Sequence, residues 1–204
     1  MKLRAVSSFL FRISLLAALC SLASGQAKTA TPPARIQGYS ADVAGVQDGA
    51  AVSGKIYFMP DKLRMEQNAG GTKTILILDR KQKMMWILNT GEKTYGEVDL
   101  STPGVSINMP FPDETGKPCI PMKATSCVDA GRELINDRQC DRWEVTASDG
   151  EKMVKTTIWI DPTLGAPIRW KNETGDHYDL SNIKPGPQQD ALFQLPEGYK
   201  KNGT

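Results

Sequence analysis

Alternation of apolar and polar residues dominates this chain and predicts strands rather than helices. Residues 153–160 alternate β-branched side chains with Lys, Thr and Trp, a period of two that is typical of a β-strand. The Asp-Pro pair at 161–162 opens a turn, and Gly165 can close it because glycine adopts positive φ at little cost. A second apolar run follows. We therefore predict a β-hairpin with one tryptophan on each arm, Trp159 and Trp170.

Similar segments recur along the chain and predict further hairpins. Strands are expected at 36–46, 52–59, 62–66, 73–79, 84–90, 95–100, 131–135, 138–147 and 178–183. No segment keeps a helical period over ten residues or more, so the predicted class is mainly antiparallel β. Residues 101–127 contain five prolines and break the rhythm. They predict a long loop, which is either a lid or a decorated connection.

The first 25 residues predict a cleaved signal peptide. Three basic residues and no acidic ones precede or interrupt the apolar run 9–23, which ends in small residues. A membrane anchor needs ~20 apolar residues, whereas this run is shorter and contains Arg12. We expect cleavage after Gly25, with Ala27 as the alternative, and hence a periplasmic or secreted protein. Lipidation at Cys20 is a further alternative, although the leucine before it is larger than lipoprotein signals usually carry.

The remaining chain is expected to form one domain without a transmembrane span. Residues 26–35 predict a flexible lead-in, and 36–200 are long enough for a real core. Removing the three basic residues of the leader from the 25 in the chain leaves 22 against 23 acidic ones, a net charge of −1. This balance favours neither nucleic acid nor an anionic membrane surface as a partner.

Three cysteines follow the leader, and in an exported protein they predict a disulfide with one thiol left over. We favour Cys119–Cys127, which closes a small ring in the Pro-rich loop, over a Cys127–Cys140 bridge. Cys140 lies in a strand-like segment and can be buried as a small apolar residue. The spacing contains no Cys-x-x-Cys pair and His177 is the only histidine, so no metal site is predicted.

Catalytic motifs and cofactor motifs are absent from the sequence: there is no Gly-x-Ser-x-Gly, no Gly-rich phosphate loop and no His-Glu-x-x-His. His177 and Asp179 lie near each other, but no motif supplies a nucleophile for a triad. Glu133 and Glu144 flank a predicted turn on adjacent strands, and a carboxylate pair could serve a hydrolase. The prediction is therefore a non-enzymatic protein without a cofactor, with a carboxylate-dependent hydrolase as the less favoured alternative.

Two adjacent strands are apolar on both faces, at 75–78 and 84–88. If residues 80–83 form the loop between them, Ile77 pairs with Trp86 and Ile75 with Leu88. A sheet with one wet face should alternate cleanly, so either both faces are packed or one face lines a cavity for an apolar ligand. The candidate ligand-binding face consists of Leu63, Met65, Ile75, Ile77, Met84, Trp86 and Leu88. The other face carries Leu76, Leu78, Met85 and Ile87.

Several segments together resemble an uncharacterised group of exported bacterial proteins that is similar to the LolA and LolB lipoprotein carriers. The segments are 57–66, 86–90, the pattern Gly-x-Glu-x-x-Asn-x-x-x-Cys-x-x-Trp at 131–143, 159–168 and 192–199. The resemblance implies a strongly curved antiparallel sheet, a half-open barrel whose mouth the Pro-rich loop 101–127 would cover. It implies a lipid or other apolar ligand, such as the acyl chains of a lipoprotein. Related folds also sense lipids or envelope stress, so an envelope protein partner is the alternative.

Overall fold

The structure is a computed structural model that describes residues 37–103, 111–113, 115–148 and 151–203. The predicted signal peptide, the possible lipidation site at Cys20 and the lead-in 26–35 lie outside the described residues and stay predictions. Twelve strands are present in the described part: β1 (Tyr39–Gln47), β2 (Ala50–Met59), β3 (Lys62–Ala69), β4 (Thr72–Asp79), β5 (Met84–Asn89), β6 (Thr94–Asp99), β7 (Ser126–Ile135), β8 (Arg138–Ser148), β9 (Met153–Asp161), β10 (Ala166–Asn172), β11 (His177–Pro185) and β12 (Lys200–Lys201). One 3-10 helix spans Asp190–Phe193.

The hairpins follow the turn chemistry of the sequence. Asn136 and Asp137 join β7 to β8 and both have positive φ, at 49° and 61°. Gly70 and Gly71 join β3 to β4 with φ of 56° and 86°. Two consecutive residues with positive φ give a tight turn whose twist matches the flanking strands, and Asn, Asp and Gly adopt this conformation most readily.

The described strands form a single sheet in the order β12-β6-β5-β4-β3-β2-β1-β11-β10-β9-β8-β7. Pairing is antiparallel except between β12 and β6, which run parallel. The two outermost strands do not pair with each other, so the sheet is not closed. The predicted mainly antiparallel, half-open architecture is confirmed.

The position of the main core shows that the sheet is curved. Leu78 of β4 and Ile135 of β7 belong to one buried cluster, although eight strand spacings separate their strands. In a flat sheet that distance would be about 38 Å. The side-chain amide of Asn136 also donates a hydrogen bond to the carbonyl of Leu180 in β11, at 3.0 Å. The hairpin formed by β7 and β8 therefore bends back towards β11, in the middle of the sheet.

The Pro-rich segment differs from the prediction at its end. β7 begins at Ser126 rather than at Gly131, so the loop is shorter than 101–127. The first half of β7 was not predicted because the pairing of β7 with β8 is interrupted by a bulge between Asp129 and Arg132. Gly131, where φ is 88°, lies in this bulge. A bulge destroys the period of two on which strand prediction depends.

Candidate functional site

Strands β3 to β5 carry apolar side chains on both faces of the sheet. Cross-strand pairing places Ile77 opposite Trp86 and Ile75 opposite Leu88, as predicted. We call this side the Ile77 face: Ile75, Ile77, Met84, Trp86 and Leu88. The opposite side, the Ile87 face, consists of Leu63, Met65, Leu76, Leu78, Met85 and Ile87. The two faces differ in how they are covered.

The C-terminal segment 190–199 packs on the Ile77 face. Ile77 and Leu88 are 0% exposed, and Phe193 of the 3-10 helix lies in the same buried cluster at 4%. Leu192, Leu195 and Tyr199 are partly buried against it, as are Ile75 and Trp86. Met84 stands at the end of the face, opposite Asp79.

Polar contacts hold this segment in place. The largely buried Arg64 donates from Nη1 to the carbonyl of Leu192 at 3.0 Å and from Nε to Glu66 at 2.7 Å. The ammonium of Lys62 pairs with Asp190 at 2.9 Å. Further along, β12 adds to β6, so the segment is bonded to the sheet at both ends.

Leu63 and Met65 do not lie with the other predicted ligand-binding residues. Leu63 is opposite Leu78 and Met65 is opposite Leu76, which places both on the Ile87 face. The physical reason is the two-residue turn between β3 and β4, which fixes the pairing, since side chains alternate strictly along a strand. That ligand-binding residues occupy the Ile77 face stays a prediction.

The Ile87 face becomes progressively more exposed away from the core. Leu63 and Leu78 are buried, at 2% and 4%. Met65, Leu76 and Met85 are half-buried. Ile87 is 44% exposed, and Gly96, directly opposite it on β6, has no side chain to cover it. A Cβ added at Gly96 would meet only the side chain of Asn202, at 3.9 Å. The exposed end of the Ile87 face is therefore an apolar surface with open space next to Gly96.

A stack of aromatic rings lies in the same buried cluster as Leu63 and Leu78, which form the buried end of the Ile87 face. Tyr39 stacks on Phe58 with ring centroids 5.2 Å apart, and Phe58 stacks on Phe111 at 5.7 Å. The guanidinium of Arg80 lies over the ring of Phe111, 5.4 Å from the ring centroid. Sequence reasoning missed Arg80 and Phe111. Arg80 could have been identified from the sequence, because it lies two residues beyond Leu78 and four beyond Leu76, and side chains two residues apart in a strand share a face.

The hydroxyl of Tyr39 is buried and has no hydrogen-bond partner among the described residues. Burial, and to a lesser degree the nearby charge of Asp161, raise the pKa of Tyr39. The carboxylate of Asp161 is itself buried and pairs with Arg138. A neutral phenol therefore lies against the inner end of the apolar core.

The Pro-rich segment contributes to two regions. Phe111 belongs to the main core. Cys119 and Cys127 form the predicted disulfide, and the segment they close packs Met122 over Trp143 and its neighbours on β8 and β9. It covers this part of the sheet in addition to contributing Phe111 to the core.

Cys140 is a free, buried thiol, as predicted. Its Sγ lies 3.4 Å from the carbonyl oxygen of Arg138. Burial, followed by the charge of Asp161, raises the pKa of Cys140 to about 12. Because the thiolate is the reactive form of cysteine, this thiol is inert at neutral pH.

The two candidate carboxylates have separate partners. Glu133 lies opposite Cys140 and accepts a hydrogen bond from the indole of Trp159 at 2.7 Å. Glu144 lies four residues further along β8 and pairs with Arg142 at 2.9 Å. Glu133 thus forms a partly buried hydrogen bond, whereas Glu144 forms an ion pair at the surface.

His177 and Asp179 also have separate partners. A ring nitrogen of His177 lies 3.0 Å from the carbonyl oxygen of Gly175. The carboxylate of Asp179 accepts a short hydrogen bond from Arg169. Within the described residues no group of three or more His, Cys, Asp or Glu side chains is arranged to hold a metal ion. The same part of the chain contains no helix that is long and apolar enough to cross a membrane.

Solved structures share this architecture at low sequence identity. An uncharacterized conserved protein from Thermus thermophilus is 14% identical over 81% of this chain and 89% of its own, with a TM-score of 0.55. PNGF-II is 9% identical over 81% of this chain, with a TM-score of 0.50, and the chain spans only 31% of that protein. The Mycobacterium tuberculosis lipoprotein LppX is 11% identical over 76% of this chain and 89% of its own, with a TM-score of 0.41. These likenesses concern the fold alone.

The sequence itself matches a family. No curated protein matches the chain significantly. A profile described as a domain of unknown function, DUF4412, matches residues 42–166, which run from β1 to the start of β10. The profile does not name LolA or LolB, so that finer resemblance stays a prediction. Since the match covers more than half of the chain, this protein belongs to the DUF4412 family.

Proposed function

We propose that the protein is an exported, non-enzymatic binding protein that shelters an apolar group, such as an acyl chain, against the Ile87 face. The observation that carries the proposal is the exposure of Ile87, at 44%, at the end of a continuous apolar surface. Exposed apolar area costs about 25 cal/mol per Å2 in water, and a ligand that covers it recovers this free energy. Met65 and Met85 can adjust to chains of different shape.

The proposed site lies on the opposite side of the sheet from five of the seven residues that the sequence suggested. The Ile77 face has the same kind of residues, but the C-terminal segment of the chain already covers it. The Ile87 face lies on the same side of the sheet as the main core that the curved sheet surrounds. A carrier of lipoprotein acyl chains is the more specific form of the proposal. It rests on the sequence resemblance to an uncharacterised exported group that is similar to the LolA and LolB carriers.

A dye-binding experiment tests the proposal. The neutral apolar dye N-phenyl-1-naphthylamine should bind saturably to the purified chain lacking residues 1–25. The variant Gly96→Phe places a ring above Ile87 and should weaken binding at least tenfold, because it fills the open space. The control Ala44→Phe adds the same ring at an exposed position of β1 and should bind as the wild type does.

Thermal unfolding of both variants verifies that they are folded. Two results would contradict the proposal: no saturable binding by the wild type, or equal binding by the two phenylalanine variants. Co-purifying lipid in native mass spectrometry would identify the natural ligand.

A protein-interaction module is the second candidate, and the edge strand β7 favours it. Val128 and Leu134 on this strand are 53% and 59% exposed, and one edge of β7 has no neighbour within the described sheet. An unpaired edge can accept a strand from a partner. Replacing Val128 by proline should abolish capture of an envelope protein by this edge and leave dye binding unchanged. Capture that persists in this variant would argue against the edge.

A further inference from the structure

Arg80 is a charged side chain next to the aromatic rings at the buried end of the Ile87 face. It follows directly after β4, two residues beyond the buried Leu78. Its guanidinium lies 5.4 Å from the centroid of Phe111, and the ring of Phe111 also stacks on Phe58 in the core. Stacking on an aromatic ring orients a guanidinium and leaves its N–H groups available in the plane.

No acidic side chain of the described residues forms an ion pair with Arg80. Asp61, the acid that acts on it electrostatically, pairs instead with the ammonium of Lys81 at 2.7 Å. The neighbouring Asp79 accepts the backbone N–H of Gln82 at 2.9 Å. Both nearby carboxylates are therefore engaged elsewhere.

The surroundings of Arg80 are partly desolvated. Although the residue is exposed overall, burial lowers the pKa of Arg80, and the charge of Asp61 only partly opposes this effect. An arginine stays protonated in proteins. A cation that is partly removed from water and has no ion-pair partner among the described residues gains from binding an anion.

We infer that Arg80 binds the anionic head group of an amphiphile whose apolar chain lies on the Ile87 face. The inference rests on the proposed function and adds the class of ligand: a single apolar chain ending in a carboxylate or phosphate. The geometry is suitable because Leu76 lies four residues before Arg80 on the same side of the sheet. That spacing is about 13 Å along a strand. A chain anchored at Arg80 would run along the half-buried Met85 towards Ile87.

Competition against the bound neutral dye tests this inference with three probes of equal chain length. These are dodecanoate, dodecyl phosphate and dodecanol, each kept below its micelle concentration. The wild type should bind both anions about tenfold more tightly than the alcohol. A preference for only one of the anions would identify the head group as carboxylate or phosphate.

Variants of Arg80 and of its neighbour separate a specific contact from general charge. Arg80→Gln should bind all three probes with the affinity that the wild type has for dodecanol, while Arg80→Lys should keep part of the preference. Lys83→Gln removes another exposed positive charge of the same turn, leaves the pair between Lys81 and Asp61 intact, and should keep the full preference.

The outcomes distinguish this inference from the proposed function. A wild type that binds anions and alcohol equally retains the binding function and overturns the role of Arg80. The same holds if Arg80→Gln keeps the preference for anions. Failure of every probe to bind would overturn both. Thermal unfolding of Arg80→Gln shows whether the variant is folded, and the exposed position of the residue predicts that it is.

Discussion

The two faces of strands β3 to β5 have similar residues and different environments. On the Ile77 face, Ile77 and Leu88 are 0% exposed beneath Phe193. On the Ile87 face, Ile87 is 44% exposed and lies opposite a glycine. Apolar composition alone therefore does not identify a ligand site. What distinguishes a core from a binding surface is whether another part of the chain reaches it.

Removing the cover of the Ile77 face should have the largest effect. Phe193→Ala should lower the free energy of unfolding by about 3–5 kcal/mol, because it leaves a cavity above Ile77 and Leu88. Urea denaturation measures this loss. Gln194→Ala, at the exposed neighbouring position, should change stability by less than about 0.5 kcal/mol. A small loss for Phe193→Ala would mean that the segment does not seal this face.

Truncating one isoleucine on each face compares them directly. Ile77→Ala should cost about 2–5 kcal/mol, as for a fully buried side chain. Ile87→Ala should cost about 1 kcal/mol or less, because much of its side chain is already in water. Dye binding should respond in the opposite order, with the larger loss for Ile87→Ala. Equal stability losses for both variants would contradict the difference between the faces.

The disulfide offers a comparison between a covalently closed cover and one held only by packing and hydrogen bonds. Replacing Cys119 and Cys127 together by serine should cost about 2–3 kcal/mol, since the bond closes a short loop. Denaturation should show this loss. Dye binding on the Ile87 face should remain, because Met122 covers a different cluster. Peptide mapping without reduction is the second measurement, and a linked peptide that contains Cys140 would contradict the assignment.

The smallest effect is expected from the exposed ion pair that touches the C-terminal segment. Asp190→Asn removes the pairing with Lys62, in which the aspartate side chain is 80% exposed. Such pairs contribute about 0–1 kcal/mol, so the change in unfolding free energy should be near the limit of detection. A loss as large as that of Phe193→Ala would show that charge, rather than apolar packing, holds the segment.

Much of the local structure could be predicted from the residues. The hairpin around residues 161–165, the turn at Asn136 and Asp137 and the pairing of Ile77 with Trp86 follow from period-two alternation and turn chemistry. The disulfide followed from the cysteine spacing. Each of these depends on residues close in sequence, and local preferences act over that range.

The candidate site was only partly predictable. The two-residue turn at Gly70 and Gly71 fixes Leu63 opposite Leu78, so this error in the assignment of faces could have been avoided from the sequence. The role of Gly96 could not have been found in the same way. Its importance depends on its position opposite Ile87 and on what lies above it.

Antiparallel hairpins with two apolar faces on the central strands could be predicted from the residues alone. Which of the two faces is buried depends on the tertiary structure. The C-terminal segment that covers Ile77 lies more than 100 residues away in the chain. The curvature that brings β4 and β7 into one core arises from twist and bulges summed over many strands. The hydrophobic effect is non-directional. The residues of two strands that are apolar on both faces therefore do not indicate which face a distant segment of the chain will cover.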